Sequence, residues 1–201
     1  MIKAVLFDMD GVLVNSFEAW LSLVNATAIH FGYPEIARER FQKAYGQSTE
    51  SDVKEFFQKQ TAKEVDDYYE EHFRDFKSLV QSVPEAYVLI ERLKEMRLGI
   101  CVITNTGGIL ARDILKELGI RSDHVIGGDE VDNAKPAPDI VLKACELLGI
   151  SPKEAVVVGD SMYDIGAATT SGAISVGIHG VVGDYCIDSL LELPEIIENR
   201  R

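Results

Sequence analysis

Five short apolar runs limit what this chain can become: Ala4 to Phe7, Ile100 to Ile103, His124 to Ile126, Ala155 to Val158 and Ile174 to Val176. The runs are nearly continuous instead of alternating. A strand that is apolar on both sides must be covered on both faces, which is the condition of a parallel sheet. Between the later runs lie helical patterns. Leu110, Ile114, Leu115 and Leu118 precede Gly119, and Ile140, Val141, Ala144, Leu147 and Leu148 precede Gly149. Each set recurs at helical spacing and stops on a glycine, the residue that most readily closes a helix. Strand and helix therefore alternate, and the predicted fold is α/β: an open, doubly wound parallel sheet with a Rossmann-like core.

The first run is out of step with the rest, because about 90 residues separate it from the second. Helical patterns fill that gap. Phe17, Leu21, Val24, Ala28 and Phe31 precede Gly32, and Val65, Tyr69, His72, Phe73, Phe76 and Val80 follow the same spacing. The predicted organisation is a core from residues 1–14 and 81–201, with residues 15–80 inserted as a small helical cap. Within the cap, the acidic run Asp66 to Glu71 reads as a solvated helix face. At 201 residues the chain has room for one ordinary core plus such an insertion.

The charge balance narrows the partners. With 33 acidic against 20 basic side chains and a formal net charge of -13, most of the surface repels a phosphate backbone, so nucleic acid is not expected. No apolar run approaches the roughly 20 residues that span a bilayer, and the N-terminus lacks the pattern of a secretory signal. Cys101, Cys145 and Cys186 are odd in number, scattered and set among apolar or small residues, so they are expected to be buried thiols in a reducing, cytoplasmic setting. The sequon at Asn25 then carries no meaning, and it falls inside a predicted helix. Trp20 and the methionines, apart from Met9 and Met162, are assigned to the core. His30, His72, His124 and His179 are dispersed and receive no role.

In open parallel sheets, ligands sit beyond the carboxyl ends of the strands. There the chain reads Asp8-Met9-Asp10-Gly11 after the first run, Thr104-Asn105 after the second, and Gly159-Asp160-Ser161 after the fourth, with Asp164 one turn later. Lys135 lies between the third run and the helix opened by Pro138. Asp8, Asp10, Asp160 and Asp164 would gather several negative charges in one small volume, which needs a cation to neutralise them. A hard divalent ion with oxygen ligands answers that need. Magnesium suits it best, because it retains waters and a substrate phosphate in its shell. A helix-loop-helix calcium site does not fit, since Gly11 is fourth from Asp8 and not sixth. Gly107-Gly108 could in principle approach a phosphate at a helix start, but reads more simply as a loop.

The ordered set DMDGVLVNS, ITN, KPAPD and GDSMYD resembles the haloacid dehalogenase superfamily, and within it the phosphoglycolate phosphatase and β-phosphoglucomutase branch. The resemblance implies a magnesium-dependent phosphatase acting on a small phosphorylated metabolite. Asp8 would attack phosphorus and become an aspartyl phosphate. Asp10 would protonate the leaving oxygen and then activate water. Asp8 and Asp160, with the Asp10 carbonyl, would hold Mg2+, and Asp164 would support that shell. Thr104, Asn105, Lys135 and the chain at Gly11 would bind the phosphoryl group, with Lys135 offsetting its charge. The resemblance also implies alternatives. A dehalogenase would carry a different residue at Asp10. A sugar-phosphate mutase would carry an arginine within Gly46-Gln47-Ser48-Thr49, where Thr49 stands. A non-enzymatic binding module would lack a catalytic group, and here none is missing. Asn15, Ser16, Gln47 and Thr49 are candidates for setting specificity.

Overall fold

The computed structural model describes residues 1–200. All five apolar runs form strands: β1 (Ala4–Phe7), β4 (Gly99–Ile103), β5 (His124–Ile126), β6 (Ala155–Gly159) and β7 (Ile174–Ile178). A sixth strand, β8 (Tyr185–Ile187), completes a parallel sheet in the order β5-β4-β1-β6-β7-β8. The two remaining strands, β2 (Val14–Asn15) and β3 (Gln81–Ser82), form an antiparallel ribbon where the chain leaves the sheet and returns to it. The core helices are α5 (Pro84–Glu95), α6 (Gly108–Glu117), α7 (Asp139–Leu148), α8 (Met162–Ser171) and α9 (Leu193–Glu198), and between the ribbon strands lie α1 (Phe17–His30), α2 (Arg38–Ala44), α3 (Thr49–Glu55) and α4 (Ala62–His72).

Residues of β1 show why the runs do not alternate. Val5 and Phe7 belong to a core that continues through Leu23, Phe57 and Val65 into the segment between β2 and β3, whereas Leu6 belongs to a second core with Ile140, Val141, Ala167 and Ala168 of α7 and α8. Helices α7 and α8 thus cover one face, and α5 with residues of that segment covers the other. Because β1 lies in the middle of the sheet, both of its faces are buried and every residue of it is apolar.

Several expectations are corrected. The helical pattern running to Val80 breaks at His72, after which Phe73–Asp75 and Lys77–Leu79 form short 3-10 turns that keep similar side-chain spacing. Cys101 and Cys145 are buried, but Cys186 is exposed, since β8 is an edge strand and the residue points away from the core. Met1 is exposed as well. No described helix is long and apolar enough to cross a membrane.

Candidate active site

The carboxyl ends of β4, β1 and β6 lie side by side, and each strand is followed at once by a polar residue: Thr104, Asp8 and Asp160. The topology reverses here, since successive crossovers run from β1 towards β4 and β5 on one side and from β6 towards β7 and β8 on the other. After Asp8 the chain turns sharply, with the amides of Leu13 and Val14 both donating to the Met9 carbonyl. Gly11 permits this turn. Its φ is +80°, and a side chain at that position would overlap the Asp160 carboxylate.

Lys135 enters this group from the loop before α7, and its side chain is buried. Its ammonium donates to Asp8 Oδ1 at 2.7 Å, Asp164 Oδ1 at 2.6 Å and the Ile103 carbonyl at 3.1 Å, which uses all three protons. Asp164 is buried at the first turn of α8, where its Oδ2 accepts from the amide and hydroxyl of Ser161. Asp8, Asp160 and Asp164 each bring an oxygen within 4.8 Å of the others.

One ammonium does not balance this much negative charge. Burial raises the Asp8 carboxyl well above its ordinary range; Asp164 raises it further, and Lys135 opposes both. Asp160 is pushed up to about 7, first by burial and then by Asp164. Burial alone would lower the Lys135 ammonium, but Asp164 and Asp8 outweigh it and hold it above its ordinary range. Such a cluster of buried carboxylate oxygens fits a hard divalent cation.

Asp10 does not join the three clustered carboxylates. Its Oδ1 accepts from Ser16 Oγ and from Trp20 Nε1 at 3.0 Å, and its Oδ2 accepts from Thr106 Oγ1 at 2.8 Å and Thr104 Oγ1 at 3.4 Å. Ser16 is held in turn by Tyr45, 2.7 Å away. Of these partners, Trp20 was assigned to the core, and Thr106 and Tyr45 carried no motif. The spacing of Ser16 and Trp20, four apart at the start of α1, was the available signal. Asn105 works through its side chain: it accepts from the Lys135 amide at 2.9 Å and donates to the Lys135 and Gly46 carbonyls at 3.1 and 2.9 Å. It therefore ties the lysine loop to the turn after α2. The Gly107-Gly108 helix start is occupied by protein, because Asp129 Oδ1 accepts from the Gly108 amide at 2.7 Å.

Asp8 and Asp10 open onto a cavity of about 80 Å3 between the strand ends and the helices that lie between β2 and β3. Its far wall was not expected. Asp66, read as part of a solvated face, is half-buried and lines the cavity, and Glu70, four residues on along the same side of α4, borders it while remaining exposed; Asp67 and Glu71 are exposed as expected. Thr49 donates to Asp66 at 2.6 Å, and Asp52 accepts from Gln47 at 2.8 Å and Tyr69 at 2.9 Å.

Asp52 makes a stability prediction. Burial pushes its carboxyl up to about 7 despite the hydrogen bonds from Gln47 and Tyr69, and the neighbouring Glu55 and Asp66 push the same way. A carboxyl whose folded value exceeds its unfolded one favours the folded state at low pH, and that contribution is lost as pH rises from about 4 to about 7. Asp52→Asn keeps the shape without the charge. It is expected to raise unfolding stability by about 1 kcal/mol or more at pH 8 and to change it little near pH 3, below the unfolded value, as urea titrations at the two pH values would show.

A family model described as haloacid dehalogenase-like hydrolase matches residues 5–178. A phosphoglycolate phosphatase of Chromobacterium violaceum is 32% identical, over 98% of this chain and 97% of its own length. A pyrophosphatase PpaX of Bacillus cereus is 27% identical, with 98% and 97% covered. Among solved structures, a hydrolase from Pseudomonas syringae superposes with a TM-score of 0.85 at 24% identity, with 99% of each chain covered.

Proposed function

We propose that this chain, which belongs to the haloacid dehalogenase-like hydrolase family, hydrolyses small phosphate monoesters through an aspartyl phosphate on Asp8. The observation that carries the reading is the buried group in which Lys135 bridges Asp8 and Asp164 at the mouth of a cavity shared with Asp10. Lys135 occupies one oxygen of Asp8, which orients the carboxylate and leaves the other for phosphorus. As the new P–O bond forms, the ester P–O bond breaks, and Asp10 passes a proton to the departing alkoxide. Water then attacks the phosphorus of the aspartyl phosphate and gives a proton to Asp10. The acyl phosphate P–O bond breaks, restoring the Asp8 carboxylate and releasing inorganic phosphate. Ser16, Trp20 and Thr106 keep Asp10 in place through both transfers.

Asp8 and Asp160 would hold Mg2+, with Asp164 supporting them, because both Asp164 oxygens already accept hydrogen bonds. The ion supplies positive charge for the phosphoryl oxygens. Thr104, Asn105 and Gly11 remain the proposed lining of the phosphoryl site, with Thr104 and Asn105 bordering the cavity. Residues 15–80 are proposed as the cap that closes over it.

The mutase reading loses ground. Thr49 is committed to Asp66, and four of the eight lysines and arginines within residues 15–80, Arg38, Arg40, Lys63 and Lys77, sit in exposed ion pairs with Glu18, Glu55, Asp67 and Glu117. No described lysine or arginine lines the cavity to clamp a second phosphate. The test is release of inorganic phosphate from p-nitrophenyl phosphate. Activity should require a divalent ion, be supported by magnesium better than by calcium, and vanish in excess EDTA. Full turnover in EDTA would discard the metal assignment.

A further inference from the structure

The cavity beside Asp8 and Asp10 carries acidic but no basic side chains, with apolar residues such as Phe41, Ala44 and Leu110 among them. Beyond those two aspartates it is bordered by Asp52 and Asp66 and, at exposed positions, by Glu70 and Asp129, and no described lysine, arginine or histidine lines it. The charges face one another across the gap between cap and core. A side chain at Gly107 would stand 3.6 Å from Glu70 Oε1 and 3.7 Å from Asp129 Oδ2, so a cap carboxylate and a core carboxylate flank one backbone position. Aromatic rings of Trp20, Tyr45 and Tyr69 form part of the same wall.

Nothing inside the cavity offsets these charges. The cations that could do so point elsewhere: Lys63 pairs with Asp67 on the outer side of α4, and Lys135 is already shared between Asp8 and Asp164. Burial, together with Glu50, Asp129 and Glu70, pushes the Asp66 carboxyl up to about 6. A chain of net charge -13 adds no compensating field. A leaving group that carries a carboxylate or a second phosphate would meet several like charges and no opposite one. An ammonium would meet several carboxylates and aromatic faces, both of which attract cations.

We infer that the preferred substrate is a phosphate monoester whose leaving group carries a positively charged amine, an amino-alcohol or amino-sugar phosphate, with Asp66 and Asp129 facing the ammonium. This deepens the phosphatase reading and rests on it. The cavity is a site on other grounds, since it opens on Asp8 and Asp10; the acidic wall decides the charge of whatever fills it.

The test uses three esters of similar size that differ in charge: 2-aminoethyl phosphate, 2-hydroxyethyl phosphate and phosphoglycolate. With wild-type enzyme at pH 7.5 and fixed magnesium, kcat/KM is expected to be about tenfold higher for the amine than for the alcohol, and about tenfold lower for the carboxylate, the scale of one partly buried charge contact. In Asp66→Asn and Asp129→Asn the ratio of amine to alcohol should fall towards one. A ratio between two substrates of one enzyme cancels any general loss of activity or folding. Added salt should shrink the wild-type ratio as well. If the alcohol ester is hydrolysed while the amine is no better, or phosphoglycolate or pyrophosphate is preferred, the inference is wrong and the phosphatase reading stands. An unchanged ratio in both variants removes Asp66 and Asp129 from the ammonium site. Hydrolysis of no ester in the presence of magnesium would overturn the phosphatase reading itself.

Discussion

Replacing Asp8 by Asn is expected to lower phosphatase turnover by about 10⁴-fold or more while leaving the protein at least as stable as the parent in EDTA. The two effects share one cause. Asp8 is buried against Asp164 and Asp160, and burial with those neighbours raises its carboxyl far above its ordinary range. An amide of the same shape can still accept from Lys135, now 2.7 Å from Asp8 Oδ1, but adds no negative charge to the cluster. It is also a poor nucleophile towards phosphorus. Stability that holds or rises while activity collapses is the signature of a group kept for chemistry against the preference of the fold. Asp10→Asn should be milder, about 10²-fold, the usual scale for a positioned acid and base. Steady-state rates on p-nitrophenyl phosphate and urea midpoints in EDTA check both. Near-normal turnover in Asp8→Asn would falsify the covalent mechanism.

What could be read from the chain divides along physical lines. The strands β1, β4, β6 and β7 were legible because burial on both faces leaves a nearly continuous apolar run, broken in β7 only by the buried Ser175 before Val176. Asp8, Asp160 and Lys135 were legible because chemistry on an open sheet gathers just past strand ends. Strand β8 was not, since an edge strand of three residues with exposed Cys186 leaves no apolar signature. The same reasoning explains Trp20. A large apolar ring near the start of α1 looks like core, and only the folded chain shows its Nε1 donating to Asp10. Asp66 was hidden differently: a run of acids on a helix has one side to solvent, and the sequence does not say that the other side faces a cavity. Motifs pointed to the carboxylates at the strand ends, whereas the facing wall of the cavity depends on how the helices between β2 and β3 sit on the sheet and had to be seen.

The largest stability effect is expected at Lys135. In Lys135→Met the side chain keeps much of its bulk but loses the charge that Asp8 and Asp164 share, so two buried carboxylates lose their partner. Removing one member of a buried ion pair typically costs about 3–5 kcal/mol, and the same substitution removes the charge that offsets the phosphoryl group, so activity should fall by about 10²-fold or more. Three dependences then separate this from a simple packing defect. Without the ammonium, the buried Asp8 carboxyl holds its proton to still higher pH, so the loss in EDTA should be larger at pH 8 than at pH 5. Because the cluster is now more negative, it should attract a divalent cation more strongly, and millimolar magnesium should recover more stability in the variant than in the parent. Activity should not return with it, since the cation at the carboxylates cannot also take the place of Lys135 beside Asp8. Urea titrations at two pH values, each with EDTA and with magnesium, measure all of this. Equal losses under all four conditions would mean that Lys135 contributes its methylenes to packing and that its charge is already balanced elsewhere.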